Sequence, residues 1–204
     1  MRLVCLSDTH LLHDRIAIPE GDVLLHAGDF TMRGTASEVR EFMAWYGSRP
    51  HPHKILIAGN HDFLFENDPV AARRLIPAGV HYLEDSGIEI DGVRFWGSPW
   101  QPWFFDWAFN LPRNGLELRE KWWMIPAETD VLITHGPPHG MLDRVHDGSR
   151  VGCEELTIAL ERLDLRLHLF GHIHESYGRS GIFVNASNCD LRYRAVNPAV
   201  VVEI

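Results

Sequence analysis

This 204-residue sequence has little of several features that mark particular protein classes. It has only three cysteines (Cys5, Cys153 and Cys189) and no CxxC pair, so neither a disulfide framework nor a cysteine-rich structural zinc site is expected. No apolar run approaches the length of a membrane span, and the run in the N-terminal MRLVCLSDTH is too short for a signal peptide. We therefore expect a cytoplasmic protein with reduced thiols and no membrane partner.

Basic residues are also scarce. Lysine and arginine number 19 against 28 aspartates and glutamates, so the net charge is −9 with neutral histidines. Proteins that coat nucleic acids need clustered basic residues, and stable binding to a nucleic-acid polymer is not expected here. A small anionic substrate is compatible with this charge, because a bound metal ion can supply local positive charge. Nothing in the sequence indicates an oligomeric state.

Linkers, internal repeats and low-complexity segments are absent as well. Apolar residues make up 45% of the chain and charged residues 23%, as in ordinary globular proteins. A chain of this length suits one domain with a large core. We therefore predict a single domain spanning residues 1–204.

Short apolar runs are the main secondary-structure signal. They are typical of strands buried on both faces, and five of them occupy residues 2–7, 23–29, 54–62, 131–136 and 167–174. Helical patterns occupy 35–48, 68–76 and 153–163, and shorter strand-like segments occupy 87–98, 181–187 and 199–204. The alternation predicts an α/β sandwich with β-structure inside and helices outside. Residues 99–116 show no clear period and are crowded with aromatics.

Polar residues lie at or just after the C-terminal end of each of these five segments. In open α/β folds, ligands bind at the carboxyl ends of the strands, so these side chains are expected to meet in one crevice. The set is Asp8, His10, Asp29, Asn60, His61, Asp62, His135, His172 and His174. Imidazole and carboxylate ligands suit Mn²⁺, Fe and Zn²⁺. We predict two ions that share a bridging carboxylate, for which Asp29 is the best candidate because it stands alone at its strand end.

These motifs resemble the five-block signature of the calcineurin-like metallophosphoesterases. The blocks are DTH (8–10), GD (28–29), GNHD (59–62), TH (134–135) and GHIH (171–174), and their order and spacing match over essentially the whole chain. Further segments resemble the metallophosphoesterase-domain-containing subgroup, namely HAGDFT, ITHGPPHG, FGHIHESYG, SPWQPWF with FNLPR, and the C-terminal NASNC. The resemblance implies a four-layer α/β/β/α sandwich with a dinuclear metal site at the strand ends. Members of the subgroup hydrolyse phosphodiesters, including cyclic nucleotides.

The resemblance also implies a role for each residue of the set. One metal would be held by Asp8, His10, Asp29 and His174, and the other by Asp29, Asn60, His135 and His172. His61 would face the substrate and protonate the leaving oxygen or stabilise charge there. Asp62 would orient His61 or hold it protonated. Mn²⁺ is the expected activating ion in vitro, with Fe or Zn²⁺ as alternatives.

Two departures from the wider family narrow the function. Protein phosphatases of this group carry GDxxDRG, whereas this chain reads GDFTMRG, with Met32 in place of the acid. Purple acid phosphatases carry a tyrosine iron ligand there, which Met32 cannot supply. A phosphoprotein phosphatase and an iron–tyrosinate colour are therefore not expected. Arg33 could touch a phosphate or could simply be solvated.

The aromatic stretch at residues 96–107 supplies a candidate substrate wall, made of Trp96, Trp100, Trp103, Phe104, Phe105 and Trp107. Trp100 and Trp103 are the proposed contacts, because stacking on a nucleobase contributes about 1–3 kcal/mol per base. Ordinary packing of a long loop is the alternative explanation for the stretch. The predicted partner is therefore a small phosphoester, for which a nucleotide is one candidate.

The predicted activity is metal-dependent hydrolysis of phosphodiesters, with cyclic nucleotides as plausible substrates. Two metals would activate a water for in-line attack on phosphorus. No GxSxG elbow, positioned cysteine or P-loop indicates a covalent intermediate. The alternatives are a phosphomonoesterase, a nucleoside polyphosphate hydrolase or a non-catalytic scaffold. A DNA nuclease is disfavoured by the acidic charge and the short chain.

Overall fold

Two mixed β-sheets form the centre of the molecule. The computed structural model describes all residues from 1 to 204. Numbered in chain order, the strands of the first sheet are β1 (Arg2–Leu6), β2 (Val23–His26), β3 (His53–Leu56), β4 (Val80–Tyr82) and β13 (Val200–Glu203). They lie in the order β13-β1-β2-β3-β4, and only β13 is antiparallel to its neighbour.

The second sheet contains six strands. They are β5 (Ser86–Ile90), β6 (Val93–Ser98), β9 (Val131–Thr134), β10 (Leu167–Phe170), β11 (Gly178–Ser180) and β12 (Phe183–Asn185), in the order β11-β12-β10-β9-β6-β5. The four inner strands run parallel, and the two edge strands are antiparallel to their neighbours. Two short strands, β7 (Gln101–Pro102) and β8 (Asn110–Leu111), pair apart from both sheets.

Five α-helices cover the outer faces of the sheets. They are α1 (Ala36–Gly47), α2 (Phe63–Asn67), α3 (Pro69–Arg73), α4 (Leu116–Trp123) and α5 (Glu154–Leu160). Thr35 and Glu38 form a reciprocal capping box at the start of α1, an arrangement worth about 1 kcal/mol. None of the five is both long and apolar enough to cross a membrane.

Three apolar layers hold the sandwich together. The central layer lies between the sheets and includes Leu3, Leu25, Ile133 and Leu169, all with no solvent exposure. A second layer packs α1 on the first sheet, and a third packs α4 and α5 on the second sheet. The predicted α/β/β/α sandwich is thereby confirmed, because alternate residues of each strand face different layers.

The predicted helices are correct in position but longer than the real ones. The helix predicted at 68–76 is present only as α3, and the one predicted at 153–163 ends at Leu160. Helices α2 and α4 were not predicted. In α4 only Leu118 and Trp122 are buried, and a single i, i+4 pair is too short a pattern to detect in an aromatic-rich segment.

His168 gives the fold a testable pH dependence. It is fully buried on β10, its Nε2 lies 2.9 Å from Thr134 Oγ1, and its Nδ1 has no partner. Burial lowers the pKa of His168 to about 3, so the folded protein keeps the ring neutral. The unfolded chain takes up a proton below about pH 6.5, so this group reduces the free energy of unfolding by about 1.4 kcal/mol per pH unit below that point.

In His168→Gln we expect the free energy of unfolding to fall less steeply as the pH decreases, by about 1.4 kcal/mol per pH unit relative to wild type. Urea unfolding of metal-free protein between pH 6 and 4.5 measures it. His81→Gln, at a partly exposed position on β4, is the matched control and should keep the wild-type slope. Equal slopes for wild type and His168→Gln would contradict this account.

Candidate metal centre

The polar residues predicted at the strand ends do meet at one edge of both sheets. Asp8 and His10 follow β1, Asp29 follows β2, and Asn60 and His61 follow β3. From the second sheet, His135 follows β9, and His172 and His174 follow β10. The sheets are tied together here, because His135 Nδ1 lies 2.8 Å from the carbonyl oxygen of Ala27, just after β2.

Three groups of ligand atoms form at this edge, each with its atoms within 4.8 Å of one another. The first contains Asp8, His10 and His174, and the last contains Asp29, His135 and His172. These correspond to the two predicted metal positions. Between them lies a third group, made of His10, Asp29 and His61. Asp29 belongs to two of the groups, as expected of a residue that lies between two ions.

The two histidines of FGHIH enter different groups. His174 Nε2 lies 3.3 Å from Asp8 Oδ1, whereas the His172 ring packs 5.0 Å from the His135 ring. The backbone N–H of His172 donates to the Asp8 carboxylate at 2.9 Å. A Cβ at Gly171 would collide with that same carboxylate, so glycine is needed there for close approach.

Backbone carbonyls fix the orientation of the histidine rings. The Nδ1 atoms of His10, His135 and His174 lie 3.2, 2.8 and 3.1 Å from the carbonyls of Thr31, Ala27 and Asp190. A carbonyl only accepts, so Nδ1 carries the proton and Nε2 of a neutral ring presents its lone pair inward. Such outer hydrogen bonds orient metal-binding imidazoles.

The facing ligand atoms are more favourable with a bound cation than without one. His10 Nε2 and His174 Nε2 face each other at 3.4 Å, and His135 Nε2 faces the Asn60 Oδ1 atom at 2.9 Å. In neutral rings these are pairs of lone pairs, which repel unless a proton or a cation lies between them. The donor set of imidazole, carboxylate and amide oxygen is one that Mn²⁺, Fe and Zn²⁺ accept.

Electrostatics support the same conclusion. Burial disfavours charge on Asp8 and Asp29, but the neighbouring imidazoles hold the pKa of both carboxyls well below the usual range. Burial likewise opposes charge on His135 and His174, yet the carboxylates raise the pKa of each to about 9. Two buried carboxylates therefore demand compensating positive charge, which bound divalent cations would supply in place of these protons.

The remaining two rings have the protonation state that metal ligands need. Burial lowers the pKa of His10 to about 4 and that of His172 to about 3. Both imidazoles are therefore neutral at pH 7.

Four of the predicted ligands have a strained backbone conformation. Asp8, His10, Asp29 and His172 all have φ between 42° and 66°, the left-handed region that non-glycine residues avoid. Such conformations cost of the order of 1–3 kcal/mol each and persist where the surroundings enforce them, often at functional sites. Here they turn the carboxylates and imidazoles inward at the point where each strand ends.

The His61 ring faces the cavity beside these groups without a hydrogen bond to any carboxylate. Its Nδ1 lies 2.8 Å from the Met32 carbonyl oxygen, and its Nε2 lies 3.9 Å from Asp29 Oδ2. Trp107 packs against the ring with centroids 4.2 Å apart. Nε2 is therefore turned toward the cavity, where a protonated His61 ring would present an Nε2–H to a bound substrate.

Asp62 has a different place from the predicted one. Its carboxylate makes no hydrogen bond with the His61 ring. It is fully buried and accepts hydrogen bonds from the backbone N–H groups of Asp29, Thr31 and Gly59 and from the Thr31 hydroxyl, at 2.7–3.0 Å. Burial and the Asp29 carboxylate raise the pKa of Asp62 to about 7, while the four donors favour its ionised form. Asp62 thus organises the loops that carry Asp29 and Asn60.

The structure brings only one of the three predicted substrate contacts to the site. Trp103 lines a cavity of about 510 Å³ that also contains Asp29, Asn60, His61, His172 and His174. Trp100 is outside this cavity, because its indole N–H donates to Asp85 at 2.9 Å and Lys121 covers its ring. Arg33 is exposed and also lies outside the cavity lining.

Several cavity residues were not predicted individually. Phe104, Trp107, Arg113 and Tyr193 line the cavity together with Trp103. Phe104 and Trp107 belong to the aromatic stretch that the sequence marks only as a whole. Arg113 belongs to the FNLPR segment and Tyr193 to a YR pair after NASNC, both of which resemble the subgroup, but no role could be assigned to either from the sequence.

The α/β/β/α sandwich and the imidazole and carboxylate groups at its strand ends are features of metal-dependent phosphoesterases. The chain belongs to the calcineurin-like phosphoesterase family, whose sequence profile matches residues 1–176. The resemblance inferred from the motifs is thereby confirmed. Family membership implies divalent metal cofactors and hydrolysis of phosphoesters.

Curated relatives agree with this assignment. The chain is 46% identical to metallophosphoesterase domain-containing protein 1 of Homo sapiens, in an alignment that covers 100% of this chain and 71% of that protein. It is 39% identical to a UPF0046 protein of Caenorhabditis elegans, which it matches over 93% of its own length and 70% of the worm protein.

Two solved structures share the fold at low sequence identity. One has a TM-score of 0.67 at 14% identity and covers 90% of this chain and 89% of its own. The other, TT1561 of Thermus thermophilus, has a TM-score of 0.58 at 14% identity and covers 94% of each chain. At this identity the likeness concerns the fold alone.

Proposed function

We propose that this protein hydrolyses phosphodiester bonds and that cyclic nucleotides are among its substrates. The observation that carries the proposal is one cavity whose lining combines Asp29, His172 and His174, which are members of the two carboxylate–imidazole groups, with an aromatic wall of Trp103, Phe104 and Trp107. The ionic end would hold the phosphate, and the wall offers a surface for a base. Localisation in the cytoplasm and a small phosphoester as partner remain predictions.

The first task of the cavity residues is to hold metal ions. Two divalent ions would be held by the predicted ligands, with Mn²⁺ as the expected activating ion in vitro. These ligands are Asp8, His10, Asp29, Asn60, His135, His172 and His174. These ions would supply Lewis acidity, which polarises phosphoryl oxygens and lowers the pKa of the attacking water toward neutrality. Carbonyl contacts to Nδ1 keep three of the rings aimed inward, so little reorganisation is needed.

His61 has the position of a general acid. The Nδ1–H of His61 donates a hydrogen bond to the Met32 carbonyl and Trp107 packs on the ring, so Nε2 is turned toward the cavity. A protonated Nε2 can give its proton to the departing ester oxygen. This role requires a substrate whose leaving group is poor without a proton.

A substrate panel tests the assignment. Metal-reconstituted protein should turn over cyclic nucleotides and other diesters faster than simple phosphomonoesters. Monoesters that exceed every diester tenfold in kcat/KM, about 1.4 kcal/mol of transition-state preference, would favour a monoesterase instead. Preference for dinucleoside polyphosphates would favour a polyphosphate hydrolase, and inactivity on the whole panel would favour a scaffold.

We expect Trp103→Ala to raise KM for cyclic nucleotides about 5- to 150-fold, the range that corresponds to loss of one base–aromatic stacking contact. Trp123→Ala is the matched control, because both tryptophans are 58% exposed and Trp123 lies on α4 outside the cavity. Steady-state kinetics on a cyclic nucleotide compares the two variants. An unchanged KM in Trp103→Ala would remove the base-stacking role of this wall.

A further inference from the structure

Tyr193 is a cavity residue whose polar atom has no task within the protein. The chain has four tyrosines, and three of them use their hydroxyls internally. Tyr46 donates to the carbonyls of Leu24 and Ile55, Tyr82 donates to Glu84, and Tyr177 donates to the Pro198 carbonyl. The Tyr193 hydroxyl alone has no hydrogen-bond partner in the chain, and its side chain is 40% exposed, so the hydroxyl is free to bond to a ligand.

The ring of Tyr193 lies directly over the predicted metal ligands. Its centroid is 4.8 Å from the His10 ring at an interplanar angle of 88°, and 6.0 Å from the rings of both His61 and His174. Tyr193 also lines the same cavity as Asp29 and Asn60. Its phenol therefore borders the space in which a phosphoryl group must lie if the strand-end groups bind it.

The loop holds Tyr193 there at a conformational cost. Tyr193 has φ of 53°, a region that is unfavourable for a bulky residue. Its N–H donates to the Asp190 carbonyl at 2.8 Å, and the Asp190 carboxylate accepts from the backbone N–H groups of Arg192 and Arg194 at 2.9 and 3.0 Å. The Arg194 guanidinium pairs with the same carboxylate. These contacts close a tight turn with Tyr193 near its tip.

That turn is also tied to the metal centre. The Asp190 carbonyl lies 3.1 Å from Nδ1 of His174, and this contact aims the His174 ring toward Asp8. One residue thus orients a predicted metal ligand and fixes the position of Tyr193. The Asp190 turn therefore positions the Tyr193 phenol relative to the His174 ring.

We propose that the Tyr193 hydroxyl donates a hydrogen bond to a phosphoryl oxygen of the bound phosphoester, which makes it a substrate-binding residue of the reaction. The substrate would then contact both the phenol, which packs against His10, and Phe104, which packs against His172. This inference rests on the proposed phosphoesterase function, since it assumes that the cavity binds a phosphoryl group.

Tyr193→Phe is the direct test, because it removes the hydroxyl and keeps the ring that covers His10. We expect kcat/KM for a diester to fall about tenfold, as for loss of one hydrogen bond to a charged group. Affinity for inorganic phosphate, measured by calorimetry on Mn²⁺-reconstituted protein, should weaken by a similar factor. Metal content should remain at the wild-type value.

Tyr177→Phe is the matched control, since its hydroxyl bonds to the Pro198 carbonyl outside the cavity. It should keep wild-type kinetics and phosphate affinity. Unchanged phosphate affinity in Tyr193→Phe would overturn the inference, even if nucleotide kinetics changed, because the contact would then be to another part of the substrate. Loss of metal would also overturn it, since Tyr193 would then support the metal ligands.

The phosphate measurement separates this inference from the proposed function. A wild-type protein that hydrolyses no phosphoester would refute the function, while a weaker phosphate affinity in Tyr193→Phe would still support the contact. A wild-type protein that is active and indistinguishable from Tyr193→Phe in both assays would refute the contact alone.

Discussion

Asp29→Asn is expected to abolish nearly all activity, with a loss of at least about a thousandfold, or ~4 kcal/mol of transition-state stabilisation. Asp29 Oδ2 lies 3.4 Å from His135 Nε2 and 3.9 Å from His10 Nε2, so this carboxylate faces ligands of both predicted metal positions. An amide in its place removes one negative charge and offers only one oxygen. The cations would then lose the ligand that lies between them.

Metal content distinguishes this explanation from simple misfolding. We expect wild-type protein to bind two divalent ions per chain by elemental analysis, chelators to remove activity, and Mn²⁺ to restore it. Asp29→Asn should retain fewer than two ions. Asp91→Asn is the matched control, because Asp91 lies in the β5–β6 turn with φ of 48°, a conformation that asparagine adopts readily. Fully active protein with one ion or none would refute the dinuclear site.

The ligand set could be predicted because it follows from the sheet topology. Each of the five apolar runs is a strand, and parallel strands end at the same edge of a sheet. Residues placed a few positions after a strand therefore meet, whatever their distance in the sequence. Asp8 and His172 lie 164 positions apart, yet the His172 N–H donates to the Asp8 carboxylate.

Side chains in irregular segments were much harder to predict. Trp100 and Trp103 are three residues apart in one aromatic loop, but Trp100 turns toward Asp85 and Trp103 toward the cavity. No periodicity sets the direction of a side chain there. The turn that carries Tyr193 depends on the ion pair of Asp190 with Arg194, which no local pattern distinguishes from a solvated surface pair.

Asp62 illustrates a second limit. Its place after His61 in the GNHD block suggests that the two side chains act together. The chain turns sharply there, and the Asp62 carboxylate accepts from the N–H groups of Gly59 and Asp29 while the His61 ring turns to Met32. Adjacent residues in a tight turn point in different directions, so sequence adjacency did not imply contact.

His61→Gln should retain both metals and lose rate. The His61 group that holds Asp29 is its backbone N–H, which donates to Oδ1 at 2.8 Å, and this contact survives a change of side chain. General acid catalysis typically contributes about 10²–10⁴-fold, so a loss of that size is expected for a 2′,3′-cyclic nucleotide, whose leaving group is an alkoxide. With bis-p-nitrophenyl phosphate the loss should be much smaller, because nitrophenolate leaves without a proton.

The comparison of leaving groups decides between three roles for His61. His61→Gln and the control His81→Gln are assayed on both substrates, and metal content is measured for each protein. A much larger loss on the alkoxide ester assigns proton donation to Nε2, and equal losses would leave only electrostatic stabilisation. Loss of metal would instead make His61 a ligand. That alternative is a real one, because His61 Nε2 belongs to the group that joins His10 to Asp29, 3.9 Å from Asp29 Oδ2. We expect the first result, since the Met32 carbonyl and Trp107 already hold the ring without any help from a cation.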